Sequence, residues 1–247
     1  MRGPQRRCGK SSRKLPEDRD SAGGIVIEVK GLTKNYLIDD QVLKAVDNAS
    51  FQVQKGEIVS IIGHSGSGKT TLLSLVGGLT KPDAGKVIID GIDIWTMSDA
   101  DRSGFRNRKM SFIYQFASLI PTLSSLENIL LPTAFGSYSD ATTASAMELL
   151  GMVGLADKAN SYPSQLSGGQ QRRVAIARSF ITNPDFVLAD EPTGDLDESA
   201  EKEIIDLFRS MNREKSITFI IVTHNKDVAA LAEKQYRMSN GVLSEII

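Results

Sequence analysis

The chain has 247 residues, 40% hydrophobic and 24% charged, a globular composition long enough to bury a substantial core. Lys+Arg 29 against Asp+Glu 30 leaves a formal net charge of -1, which gives no basic field for a nucleic-acid partner, and the lone Cys8 excludes an internal disulfide. No apolar run nears the roughly 18 residues that span a bilayer, so work at a membrane would need spanning helices from another chain.

Residues 1–24, "MRGPQRRCGKSSRKLPEDRDSAGG", are polar and basic with no apolar centre, and are expected to form a disordered tail rather than a secretory signal. From Ile25, "IVIEV", "VLKAV" and "ASFQVQ" alternate apolar and polar residues, with turns expected at "LIDDQ" and "DN". They read as a small antiparallel sheet. "EIVSII", Glu57 to Ile62, is a mostly apolar strand between Gly56 and Gly63, suited to the middle of a parallel sheet, and "KTTLLSLVGGL" follows as a helix ended by Gly77 and Gly78. "GKVIIDG" returns to strand.

Between about 114 and 179, Leu126, Ile129 and Leu130, then Met147, Leu149, Leu150 and Val153, recur at helical spacings. Ser124 with Glu127 forms a capping box, and Pro121, Pro132 and Pro163 divide the stretch, so it reads as a helical insert. Strand "FVLAD", a charged helix from about Glu198 to Asn212, strand "ITFIIVTH", a helix over about 226–232 and a hairpin around "MSNGVL" complete the chain. Alternating strands and helices predict an α/β fold: a mainly parallel sheet with an N-terminal antiparallel β subdomain and an inserted α-helical subdomain.

"GHSGSGKT", Gly63 to Thr70, fits G-x-x-x-x-G-K-[ST] between a strand and a helix. Gly63, Gly66 and Gly68 let backbone N–H groups, including those of His64, Ser65 and Ser67, converge on phosphate oxygens without side chains intervening. Lys69 would reach the β- and γ-phosphates and Thr70 would offer its hydroxyl to Mg²⁺. His64 falls at a free position, where its side chain reads as solvated. "FVLADEP" ends an apolar strand in Asp190, a carboxylate for the metal, followed by Glu191, a carboxylate for a water. In a parallel sheet the strand ends share an edge, so His224 is expected beside Gly63 and Asp190, with its imidazole near the γ-phosphate.

"QLSGGQQRRVAIARS" reads as a capped helix, Ser167 with Gln170, but the cap does not require Gly168 and Gly169. Inside a helix each glycine costs roughly 1 kcal/mol relative to alanine. Two glycines at a helix mouth suit the close approach of an anion.

Together these segments resemble the ATP-binding cassette (ABC) ATPase family, a P-loop NTPase fold, over Ile25 to the C-terminus. "LSGGQ", Leu166 to Gln170, is similar to its signature motif. The resemblance implies that Tyr36 stacks on adenine, that Gln115 in "FIYQF" contacts Mg²⁺ and the attacking water, and that Thr71 joins the nucleotide contacts. "TGDLD", ending in Asp197, resembles the loop that crosses to a partner subunit, with Gly194 and Asp195 departing from the commonest Ser-Ala. "FASLIPTLSSLENILLP", "LADEPTGDLD" and "GGLTKPDAGKVIIDG" resemble the subfamily that includes the MacB macrolide exporter and the LolD lipoprotein-release ATPase. The implied function is ATP hydrolysis by a head-to-tail dimer, most simply of identical cassettes, in which Ser167, Gly168, Gly169 and Gln170 close on the partner's ATP. Lys69, Gln115, Glu191 and His224 would carry catalysis, with ATP and Mg²⁺ as ligands and Thr70, Gln115 and Asp190 around the metal. An integral membrane permease would be the second partner, placing the chain at the cytoplasmic face of the membrane as a peripheral subunit. The alternative is a soluble single-cassette ABC ATPase acting as a scaffold or assembly factor.

Overall fold

The structure, a computed structural model, describes residues 24–135, 142–194 and 196–246. The expected tail, Gly24 apart, and Asp195 lie outside the described residues. Strands β1 (Ile25–Ile38) and β2 (Gln41–Gln54) form one long hairpin. Its turn uses Asp39 and Asp40, both left-handed at φ 47° and 59°, the backbone that matches the twist of paired strands. No turn forms at "DN": Asn48, at φ 53°, sits inside β2, where pairing slips between Leu32↔Ala49 and Lys34↔Val46. The polar dipeptide marks a bulge, because asparagine tolerates left-handed backbone that a ladder can absorb. Strands β4 (Ala84–Ile89) and β5 (Ile92–Asp93) complete a four-stranded sheet in the order β2-β1-β4-β5.

The second sheet has the order β10-β9-β3-β8-β7-β6, from β3 (Ile58–Ile62), β6 (Met110–Ile113), β7 (Phe186–Asp190), β8 (Thr218–Thr223), β9 (Lys234–Ser239) and β10 (Val242–Glu245). Five of these strands are parallel and β10 pairs antiparallel with β9. The terminal hairpin therefore extends the main sheet, which its sequence did not announce. Helix α1 (Lys69–Val76) follows β3. Helix α2 (Asp99–Lys109) leads into β6; it has few apolar residues but is capped by Ser98, with acids in its first turn and Arg106, Arg108 and Lys109 in its last.

The insert supplies α3 (Ser125–Leu130), α4 (Thr143–Met152) and α5 (Gly168–Arg178). Both expected capping boxes are present: Ser124 with Glu127, and Ser167 with Gln170. Helices α6 (Glu198–Lys215) and α7 (Lys226–Ala229) flank β8. The main sheet is apolar on both faces. Phe219, Ile221, Val187 and Ala189 face one core with Phe180 and Phe208, into which Ile129, Leu149 and Val153 of the insert also pack. Ile220, Val222, Leu188, Val59 and Ile61 face the other, with Leu72 and Leu75 of α1 and Val29, Phe51 and Val87 of the antiparallel sheet. The Phe208 and Phe219 rings, 5.2 Å apart, knit strand to helix. With β8 between β3 and β7, the loop after β3 and the residues ending β7 and β8 share one edge.

Candidate functional site

The loop after β3 is built around contacts that only glycine tolerates. A Cβ on Gly63 would lie 2.3 Å from the Met238 carbonyl oxygen, and one on Gly68, at φ 104°, would lie 2.0 Å from that of Ala45. Gly66, at φ 76°, is open to its surroundings. Lys69 is buried at 8% exposure, and its Nζ donates to the carbonyls of Gly63 at 2.8 Å and His64 at 3.0 Å, which holds the ammonium across the loop. Ser67 Oγ is buried and has no hydrogen-bond partner among the described residues, and the Gly241 N–H ties the Ser67 carbonyl to the β9–β10 turn at 3.0 Å. An orphaned hydroxyl within a glycine-shaped loop is a group left for an external acceptor. His64 is exposed, as its place in the pattern suggests. Gly68→Ala should destabilise the fold by at least about 2 kcal/mol through left-handed strain and the Ala45 clash, and should also weaken nucleotide binding. A thermal melt and a fluorescent-nucleotide titration check both.

Asp190 ends β7 at 7% exposure, and the Thr70 hydroxyl of α1 hydrogen-bonds its carboxylate. Burial holds the Asp190 carboxyl above its ordinary range, against the opposing Thr70 bond; the neighbouring Glu191 charge adds to the rise, while Lys69 and Arg172 oppose it. A buried carboxylate whose charge is disfavoured alone gains from a hard cation. One carboxylate plus a hydroxyl suits a small oxygen-seeking ion completed by phosphate oxygens. No cluster of three His, Cys, Asp or Glu side chains is present among the described residues.

Glu191 turns at φ 46° and points back to the end of β8. Its Oε2 accepts from Thr223 Oγ1 at 3.0 Å and from the His224 N–H at 3.2 Å, and its Oε1 lies 3.0 Å from His224 Nδ1. The Thr223 hydroxyl in turn accepts from the Asn225 N–H at 3.0 Å, so it is fixed in the orientation that donates to Glu191. The carboxylate is largely buried, whereas the imidazole is 76% exposed. Glu191 and His224 thus form one unit at the sheet edge.

The other predicted residues lie on separate elements. Tyr36 is exposed near the hairpin tip, with Lys34 Nζ 5.6 Å from its ring centre. Gln115 is exposed just after β6. Ser167 caps α5 by accepting from the Gln170 N–H, while Gln170 Oε1 accepts from the Ser167 N–H. A Cβ on Gly168 would meet nothing within 4 Å and one on Gly169 would make an ordinary 3.5 Å contact with Leu196, neither glycine having a positive φ. No packing contact among the described residues requires these glycines. Among the described residues, no hydrogen bond joins Ser167, Gly168 or Gly169 to the phosphate loop.

Two residues were missed. Thr223 carries the bond that sets Glu191, and its only sequence signal is its place before His224 at a strand end. Arg172, at 3% exposure on α5, donates to the carbonyls of Tyr114, Asp190, Glu191 and Pro192. An arginine two residues beyond a signature motif reads as a solvated helical cation; only the fold reveals its burial.

The family profile described as ABC transporter matches residues 46–194. LolD of Bordetella avium, the ATP-binding protein of a lipoprotein-releasing system, is 41% identical over 225 residues, covering 91% of this chain and 98% of its own. MacB of Rhodopirellula baltica, a macrolide export ATP-binding/permease protein, is 39% identical over 223 residues, covering 89% of this chain but 33% of its own. The dimeric structure of MJ0796, a bacterial ABC transporter cassette, superposes with a TM-score of 0.83 at 39% identity, over 90% of this chain and 99% of that one. A second dimeric structure of that cassette, bound to ADP and Pi, gives the same TM-score at 38% identity. Fold, site and relatives agree: the chain belongs to the ABC transporter family, as an ATP-binding and ATP-hydrolysing cassette.

Proposed function

We propose that two copies of this chain close head to tail around two ATP molecules and drive a separate integral membrane permease from its cytoplasmic face. The observation that carries the dimer is that Gly168 and Gly169 lie at an open helix mouth with no internal packing need. The dimeric solved relatives support it. In each site the backbone of Gly63 to Thr71 would cradle the phosphates, Tyr36 would stack on adenine, and the partner's Ser167 to Gln170 would cap the γ-phosphate.

Thr70 and Asp190, with Gln115, would hold Mg²⁺, which supplies charge neutralisation on the β- and γ-phosphate oxygens. Lys69 would exchange its two carbonyl partners for phosphate oxygens. Glu191, aimed by Thr223 and His224, would accept the proton of the attacking water, and His224 would donate to the γ-phosphate. Gln115 would orient that water.

The permease reading rests on the MacB match, which spans about a third of a protein whose name joins ATP-binding and permease roles. It also rests on an apolar patch beside Gln115. Phe116 is 74% and Ile120 40% exposed, whereas Leu119 between them packs against the core. A scaffold ATPase without a membrane partner would leave these side chains wet for no return. Phe116→Ala with Ile120→Ala should abolish co-purification with the co-expressed membrane subunit while sparing ATP binding. Retained association would remove the patch from the interface.

A further inference from the structure

Helix α5 does more than present the signature residues. Arg172 lies five residues beyond Ser167, and its guanidinium is buried in a ring of backbone carbonyls. Nε donates to Pro192 at 3.0 Å, one terminal nitrogen to Tyr114, and the other to Glu191 and, at 3.4 Å, to Asp190. These acceptors come from two loops. Asp190, Glu191 and Pro192 form the turn that carries the metal and water carboxylates, and Tyr114 immediately precedes Gln115. The same helix holds the far side of the Gln115 loop, because Arg178 donates to the carbonyls of Ala117 at 3.1 Å and Ser118 at 3.0 Å.

Glu191 occupies left-handed backbone, so its turn needs outside support to hold that conformation. A planar, five-donor fork can reach carbonyls from both loops at once, whereas a lysine ammonium offers a single point. The geometry points to Arg172 as a positioning residue for hydrolysis: it locks the Glu191 turn and the Gln115 loop to the helix whose N-terminus caps the partner's ATP. Displacement of α5 is thereby transmitted to both loops, and the water-activating geometry is set only when α5 is seated. This rests on the roles proposed for Glu191 and Gln115.

The test compares steady-state phosphate release by the full chain carrying Arg172→Met or Arg172→Lys. Asn212→Ala is the control, because Asn212 also satisfies backbone carbonyls, of Gly56 and Ile217, away from the site. Arg172→Met should lower kcat at least tenfold with the KM for ATP changed less than twofold, and Arg172→Lys should fall between it and the unchanged chain. Asn212→Ala should lower the melting temperature without that split. Equal kcat for the Arg172 variants, or a loss matched by Asn212→Ala at the same melting temperature, would overturn the inference. If the Met variant does not fold, the Lys variant decides: a kcat equal to that of the unchanged chain would overturn the inference. Glu191→Gln measured alongside separates the layers: if it too retains turnover, the proposed site itself is wrong. If it is dead while both Arg172 variants are normal, only the positioning role fails.

Discussion

Glu191→Gln should bind ATP as tightly as the unchanged chain, lose turnover by roughly 10²- to 10⁴-fold, and accumulate as an ATP-dependent dimer. That loss corresponds to about 3 to 5 kcal/mol of barrier. The substitution is close to isosteric, and the bonds that aim the side chain survive it. An amide oxygen can still accept from Thr223 Oγ1 and the His224 N–H, which now hold Oε2 at 3.0 and 3.2 Å, and the amide nitrogen can face Nδ1 of a neutral imidazole. What disappears is the basic oxygen that takes the water's proton. Binding and closure do not need that proton, so closed dimers should persist because hydrolysis no longer opens them. Light scattering with and without ATP checks this, and a monomer at saturating ATP would count against Glu191 as the base.

The phosphate loop, Asp190 and His224 were legible because each is marked locally, by a glycine pattern or by a polar residue closing an apolar strand. Parallel-sheet topology then forces their strand ends together, which the order β3-β8-β7 fulfils. The "DN" dipeptide misled because turn and bulge use the same left-handed residues, and only pairing with Leu32 and Lys34 decides between them. Helix α2 escaped notice since its one buried residue, Phe105, gives no apolar stripe; its capping and end charges hold it instead. Leu119 reads like Phe116 and Ile120 in the sequence, yet packs against the core, because burial of a loop residue depends on neighbours distant in the chain. Thr223 and Arg172 act through bonds to residues 32 and up to 58 positions away, a separation at which periodicity carries no signal.

Ser167→Arg should leave ATP affinity within about twofold and reduce hydrolysis to background if, as proposed, the nucleotide is held by one chain and completed by another. The cap on α5 is lost as well, since Ser167 Oγ no longer accepts from Gln170, at a stability loss of about 1 kcal/mol. That is too small to unfold a domain of this size. The larger effect is steric. The space around Gly168 is open, and on the proposed reading it would receive the partner's phosphate, so a long cationic side chain at the preceding position would occupy it. Mixing distinguishes a defect in the chain's own site from one in its partner's. In a two-fold dimer each chain lends its signature to the other, so a Ser167→Arg chain paired with a Glu191→Gln chain contains one site with neither change. The two variants, mixed before ATP is added, should therefore regain phosphate release that neither shows alone. A mixture as inactive as its components would place Ser167 outside the partner's site, and normal hydrolysis by Ser167→Arg alone would remove the signature from the reaction altogether.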